Sequence, residues 1–384
     1  MPERIYLDHA ATTPLAEEAR VAMLPFLGGE FGNASSTYQE GRRAKEAIDL
    51  VRETVSQQLG CLFGEVTFTS SGTEAANLAI LGTVLAHKGN RKVVLVGAAE
   101  HHCVLHTQAM VERLGFEFRL LPCDSCGRVS AANLPPSLDD VLLVSTMYAN
   151  NEVGSVSDVA VIAAACREHG VLFHTDAAQA FPFASRPERW TVDDLGADLV
   201  SISGHKFYGP KGVGALYVRA GTPMAPIIVG GGQEREVRAG TENVAGIVGL
   251  GAGLTLTVSS PHWVEEKRQT RDAFESKLGD QVCLTVSAGD RLPGHCHVRF
   301  PGIDAETMLI RLDRMGLSAS SGAACSSGSL EPSHVLMACG YSEDQAREGL
   351  RFSFGRGQSV ALAEQAAGIV LSAANDIRKT RKST

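Results

Sequence analysis

Lys206 stands in SISGHKFYGPKG, directly after an apolar run and before a glycine-rich turn. An amine in that position does chemistry only if its surroundings disfavour the ammonium form and supply an electrophile. Its meaning therefore depends on what else the chain delivers nearby. In SSGTEAANLAILGTVLAH, Gly72 and Thr73 fall at the start of an amphipathic helix. Unpaired backbone N–H groups and the Thr73 hydroxyl suit a phosphate there. Neither GxGxxG nor a GK[ST] step is present, which disfavours a dinucleotide or ATP site. HTDAAQ supplies Asp176 and Gln179, and AAEHHCVLHT supplies His101.

A phosphate cup, an amine and a carboxylate fit one ligand. Pyridoxal 5'-phosphate carries an aldehyde for a lysine, a phosphate for a helix start and a ring nitrogen whose proton a carboxylate retains. Each residue also has an ordinary structural alternative. Thr73 or Asp176 can cap a helix, and His101 can be a satisfied loop residue. A second reactive candidate is Cys325 in SASSGAACSSGSLEPS, where small residues suit a reachable thiol. Cys123 and Cys126 form CDSC, but no second pair follows, so a surface turn is the preferred reading. The His101–His102 pair lacks metal-ligand spacing with a defined partner, and no structural metal is expected.

Positioning these groups requires a sheet. Apolar runs at 66–70, 93–97, 141–146, 171–176, 199–203 and 214–218 read as strands, with a helical pattern from Asp158 to His169 among the intervening segments. This is the signature of a mostly parallel α/β sheet covered on both faces. Ligands of such sheets bind beyond the strands' carboxyl ends. Ser70 to Thr73, Asn150, Asn151, Asp176, Gln179, Ser203, His205 and Lys206 all fall there. From about residue 256 the pattern changes: CHVRFPG and GLSASS read as strands, AETMLIRLDRM and 360–377 as helices. The expected division is a large domain over 16–255 and a smaller α+β domain formed by 1–15 and 256–384.

The 384 residues are 44% hydrophobic and 20% charged, the composition of a folded globular chain, and the net charge of −8 argues against a broad nucleic-acid surface. The basic stretch RKTRKST reads as a solvated end. No apolar run reaches the roughly 20 residues of a membrane span, and the beginning lacks a secretory signal's apolar core. Nine scattered cysteines fit a reducing compartment, so a cytoplasmic location is expected.

Taken in order, YLDHAATTP, FGNASS, TSSGTEAANLAI, EHH, NNEVG, HTDAAQ, SGHKFYGPKGVGALY, RAGTEN, SSGAACSSGSLEPSHVL and LRFSFGR run through almost the whole chain. In this set and order the sequence resembles the cysteine desulfurases of the class V aminotransferase group. The resemblance implies an aspartate aminotransferase-like (PLP fold type I) large domain, with pyridoxal 5'-phosphate bound to Lys206. It implies that Lys206 also moves protons, that His101 stacks on the ring and assists proton transfer, and that Asp176 pairs with the ring nitrogen. Gln179 would bond the phenolic oxygen with Asn151 nearby. Gly72, Thr73, Ser203 and His205 would hold the phosphate, joined by Thr241 from the other subunit of a homodimer. Arg351 would grip the carboxylate of L-cysteine with help from Asn33, and Cys325 would take the sulfur as a persulfide. The SSGSLEPS form resembles the branch with a long catalytic loop. A sulfur-acceptor or iron–sulfur scaffold protein is the implied partner, with tRNA thiolation and DNA phosphorothioation as other destinations. The competing readings are a selenocysteine lyase or aminotransferase of the same fold, and a non-catalytic sulfur-scaffold or regulatory protein. Cys325 argues against simple transamination, and the complete residue set argues against lost chemistry.

Overall fold

The computed structural model describes residues 4–286, 290–322 and 331–382. Twelve strands are present among them: β1 (Ile5–Tyr6), β2 (Val66–Thr69), β3 (Val93–Gly97), β4 (Glu117–Leu121), β5 (Val141–Ser145), β6 (Leu172–Asp176), β7 (Leu199–Ser203), β8 (Gly214–Val218), β9 (Cys283–Leu284), β10 (His295–Arg299), β11 (Leu317–Ser318) and β12 (Gly349–Ser353).

Seven form one sheet in the order β2-β8-β7-β6-β5-β3-β4. Strand β8 is antiparallel to both neighbours, and the other six run the same way. The runs VVLVG, VLLVS and LVSIS are buried along their whole length, as strands covered on both faces must be. One face carries the helix Gly72–Ala86, whose Ala75, Leu78, Ala79 and Ile80 pack with Val94, Val96 and Leu143. On the other, Val51 and Val55 of Gln39–Leu59, Ile162 of Val159–Glu168 and Leu250 of Val244–Val258 share a cluster with Leu95 and Val144. The six expected strands of this sheet are all present. The seventh, β4, was not among them. It is an edge strand whose Glu117, Arg119 and Leu120 face out, so it has no continuous apolar run to announce it.

A second cluster gathers Ile5 and Leu7 with Phe274, Met308, Leu350, Phe352 and Val370. Its framework is the antiparallel set β12-β10-β9, the parallel pair β1-β11, and the helices His262–Leu278, Ala305–Arg314 and Val360–Lys382. Strand β12 was also not expected as a strand. GLRFS is buried throughout, including Arg351, whose charge breaks the apolar run that would mark a buried strand. The chain's first strand thus pairs with a strand from its last quarter, and the bridge between Asp8 and Ser353 joins the same segment to β12. Among the described residues, no single helix is long and apolar enough to cross a membrane.

Candidate active site

Because β2, β3, β5, β6 and β7 are co-directional, the loops after them open on one rim. A cavity of about 370 Å³ lies there. Its lining includes Gly72, Thr73, His101, Asn151, Asp176, Gln179, Ser203, His205, Lys206 and Arg351. Its lining also includes Ala10, so sequence separations of up to 341 residues, the difference between Ala10 and Arg351, converge on one space.

Lys206 ends a 3-10 turn, Gly204–Lys206, that follows β7. The chain then reverses through Tyr208, a non-glycine residue at φ 67°. That costly conformation is held from the N-terminal segment: the Tyr208 N–H donates to Thr13 Oγ1 at 2.9 Å, and the Tyr208 carbonyl accepts from Ala16 N–H at 3.0 Å. The turn delivers Lys206 Nζ to the carbonyls of Ala10 (2.6 Å) and Ala11 (2.9 Å). Gln179 Nε2 also donates to the Ala10 carbonyl, at 2.9 Å. His205 Nδ1 lies 3.1 Å from Thr12 Oγ1. The segment 10–13, quoted within YLDHAATTP but given no role there, is thus part of the site. Its backbone carbonyls leave no residue-type signal.

The phosphate-side wall is the start of Gly72–Ala86. Ser71 caps it by accepting from Glu74 N–H at 3.1 Å, which leaves the N–H groups of the first turn pointing outward. Gly214 in β8 passes beneath: a Cβ there would meet the Ile202 carbonyl oxygen and the Ser71 carbonyl carbon at 2.7 Å, so glycine is required by space. The same approach sets the Ser203 side chain against Gly72.

Asp176 ends β6 and is 8% exposed. Its Oδ1 accepts the Ala178 N–H at 2.9 Å. Burial pushes its carboxyl pKa up, while the Ala178 N–H, the Ser201 hydroxyl and the Lys206 charge oppose that rise. His101 caps the short turn that follows it, with Nδ1 accepting the Cys103 N–H at 3.1 Å. The neutral ring accordingly carries its proton on Nε2. Burial, with Lys206 and neighbouring histidines adding to it, pushes the pKa of His101 down to about 4. Asn151 Oδ1 is buried without a hydrogen-bond partner among the described residues. Such an orphan beside a cavity fits a missing ligand donor.

Arg351 is 2% exposed. Its Nη2 donates to Asp8 Oδ1 at 2.7 Å and its Nη1 to the Asn151 carbonyl at 2.6 Å, while Nε has no partner among the described residues. Glu152 is a further cavity residue absent from the sequence reading. It is buried, accepts the Ser333 hydroxyl, and has its pKa raised to about 7 by burial, against the pull of Ser333 and Arg351. Asn33 and Thr241 are exposed and do not line the cavity within the single chain. Asn33 Oδ1 accepts the Ser35 N–H at 2.9 Å. Cys325 lies outside the described residues, which resume at Glu331. Among the described residues no cluster of three or more His, Cys, Asp or Glu could hold a metal ion.

The aminotransferase class-V family model matches residues 5–361. This chain belongs to that family, and within it to the cysteine desulfurases. A cysteine desulfurase IscS from Dictyoglomus turgidum is 43% identical over 92% of this chain and 90% of its own length. A solved NifS-like protein superposes with a TM-score of 0.88 at 30% identity, covering 98% of this chain and 99% of that one. A solved SspA in complex with cysteine gives a TM-score of 0.78 at 33% identity, over 91% of this chain and 98% of that one. The large sheet and second unit are the PLP fold type I arrangement, and the cofactor of this family is pyridoxal 5'-phosphate. The cavity fits that group: it offers an amine at Lys206, a buried carboxylate at Asp176, helix-start N–H groups at Gly72 and Thr73, and an orphaned amide oxygen at Asn151.

Proposed function

We propose that the chain converts L-cysteine to L-alanine and passes the sulfur through a persulfide on Cys325 to an acceptor protein. The observation that carries this reading is the convergence of Lys206, Asp176, His101 and Arg351 on one cavity at the sheet's carboxyl rim. When bound, pyridoxal phosphate supplies the electron sink that makes the substrate's Cα–H acidic and its Cβ–S bond labile.

The chain's own residues then have separable tasks. Gly72 and Thr73 N–H groups, with the Thr73 and Ser203 hydroxyls and His205, hold the phosphate. Asp176 holds a proton on the ring nitrogen through a charge-assisted bond. His101 stays neutral near pH 7 because burial depresses its pKa to about 4, so it would pack against the cofactor without adding a positive charge, and would assist proton transfer. Gln179 and Asn151 orient the phenolic oxygen. Lys206 anchors the cofactor and carries protons between substrate carbons. Arg351, fixed by Asp8, presents its guanidinium to the substrate carboxylate, with Asn33 as helper. The Cys325 thiolate takes the substrate sulfur. The carbon fragment gains a proton and leaves as L-alanine.

Further features of the reading are a small unit formed by 1–15 and 256–384 beside a large unit of 16–255, and a homodimer in which Thr241 reaches the neighbouring phosphate. Its exposed position in the single chain fits that role. The SSGSLEPS sequence, which resembles that of the branch with a long catalytic loop, suits direct delivery to a protein acceptor such as an iron–sulfur scaffold. Purified, cofactor-loaded protein incubated with L-cysteine and a reductant should release alanine and sulfide in near-equal amounts. Pyruvate or a keto acid without matching alanine would replace this reading with lyase or aminotransferase chemistry.

A further inference from the structure

A second cavity, of about 80 Å³, lies where the core of the large sheet meets that of the second unit, with Phe181, Phe207 and Leu292 from the one and Phe354 from the other in its lining. It shares Ala10, Gln179 and Lys206 with the catalytic cavity, whereas Gly72, Asp176 and Arg351 line only the catalytic one. The helix His262–Leu278 supplies Trp263 and Lys267 to it, the start of β10 supplies His295, and the segment after β1 supplies His9. Each imidazole is seated against a glycine. A Cβ on Gly355 would collide with the His9 ring, and one on Gly154 would meet His295 Cβ at 2.5 Å.

The polar groups of this cavity lack partners. His295 is 8% exposed, yet its Nε2 has no hydrogen-bond partner among the described residues, and the buried Nδ1 of His9 has none either. Buried ring nitrogens are ordinarily satisfied, so two of them on one cavity point to a ligand. Lys267 makes no ion pair among the described residues; its ammonium lies 5.6 Å from the centroid of the Tyr208 ring. No aspartate or glutamate lines the cavity. Burial, then the Lys267 charge, lowers the pKa of His9 to about 4, and burial, then the charges of Arg351, Lys206 and Lys267, lowers that of His295. Both rings are therefore neutral near pH 7, and a neutral imidazole offers an N–H to an acceptor through its tautomer.

One lasting cation at Lys267, two imidazole N–H donors and the aromatic walls Phe181, Phe183 and Trp263 suit a singly charged anion with a short carbon body. An amino acid suits them badly, because its ammonium would meet Lys267 with no carboxylate to receive it. The volume corresponds to about five to eight water-sized positions, enough for a molecule the size of propionate. We propose that this cavity is a second ligand site, which binds a short-chain monocarboxylate lacking an amino group, with the carboxylate held by Lys267, His9 and His295 and the carbon chain against the aromatic walls. The bound anion lies behind Lys206, apart from the place where Arg351 faces the catalytic cavity. The site stands independently of the desulfuration reading.

Propionate is the probe and Trp263, one of only two tryptophans, is the reporter. Cofactor-loaded protein titrated at fixed pH and ionic strength should show a saturable change in tryptophan fluorescence with propionate and none with propionamide, which has the shape without the charge. The change should vanish in Trp263→Phe. Its midpoint should rise roughly tenfold or more in Lys267→Gln. It should stay in place in Lys88→Gln, which removes an exposed lysine that does not line the cavity. An unsaturating response, an unmoved midpoint in Lys267→Gln, or equal binding of propionamide overturns the site. Sulfate binding more tightly than propionate overturns the monocarboxylate assignment. Crystals of the cofactor-loaded wild type soaked in propionate give a measurement that needs no variant: the carboxylate should lie within hydrogen-bond distance of Lys267 Nζ and His295 Nε2, and density for water alone overturns the site.

Discussion

Asp8 and Arg351 form an ion pair at 2.7 Å between the N-terminal segment and β12, and the guanidinium is 2% exposed while reaching the cavity. Removing the carboxylate charge leaves Arg351 buried without its only ionic partner among the described residues. Such a loss costs on the order of 3 kcal/mol, less here because the Asp8 side chain is 17% exposed. Asp8→Asn should lower the melting temperature of the cofactor-loaded protein. L-alanine, whose carboxylate can take the vacated role, should restore more stability to the variant than to the wild type. Equal ligand-induced shifts in both proteins would remove Arg351 from carboxylate binding.

Arg351 itself gives a kinetic counterpart. Loss of a charge-assisted contact to the substrate should raise KM for L-cysteine by roughly tenfold to a hundredfold in Arg351→Lys, since an ammonium cannot reproduce the planar fork. The absorbance of the cofactor bound through Lys206 should persist. A change confined to kcat would place the residue elsewhere in the reaction.

Cys325→Ala should abolish sulfide and persulfide formation while the cofactor remains attached to Lys206. Simple transamination needs no thiol, so this variant separates desulfuration from the other reactions that the fold supports. Full turnover in Cys325→Ala would end the assignment of that residue.

The legible part of this protein is the part carried by residue type. Fully buried runs such as VVLVG and LVSIS announced their strands, and co-directional strands told which ends share a rim, so Thr73, Asp176 and Lys206 were read together before any coordinate. What was hidden has no such mark. The Ala10 and Ala11 carbonyls accept from Lys206, and the left-handed Tyr208 that follows it is bonded to Thr13 of the same segment. The edge position of β4 and the buried charge in β12 disguised two strands. Glu152, in NNEVG, was given no role from sequence, because its chemistry depends on burial against Ser333 and Gly322. CDSC was read as a surface turn, and Asp124 closes a turn there by accepting the N–H groups of Cys126 and Arg128.

Glu152 also yields a pH prediction of definite sign. Burial raises its folded pKa to about 7 from an ordinary value of 4.5. Its contribution to stability is therefore fully present below pH 4.5 and is lost as pH rises through 7. Glu152→Gln keeps an acceptor for the Ser333 hydroxyl without the ionisation. Relative to the wild type, the variant should gain up to about 3 kcal/mol of stability between pH 5 and pH 8. Denaturant unfolding of the two proteins at both pH values measures the difference. A pH-independent difference would show that Glu152 does not titrate in this range. The buried histidines act in the other direction and are common to both proteins: His101 and His205, lowered to about 4, lose stability as pH falls below 6.5.

The buried pair Arg52–Glu234 offers a test of the large unit's framework, away from the cavity. Arg52 donates to both Glu234 oxygens at 2.7 Å and to the Val66 carbonyl at 2.6 Å, and Glu234 Oε2 accepts the Phe68 N–H at 3.0 Å. One carboxylate thus ties the helix Gln39–Leu59 to β2 while sitting at φ 46°, a conformation that its bonds must hold. Glu234→Ala strands a buried guanidinium and a strand N–H together, so it should cost about 3–5 kcal/mol. Glu234→Gln keeps an acceptor for Phe68 and should cost less. Because β2 leads directly into Gly72 and Thr73, the alanine variant should also hold pyridoxal phosphate more weakly, measured by cofactor titration. Destabilisation with unchanged cofactor affinity would show that the phosphate wall is set by β7 and β8 rather than by β2.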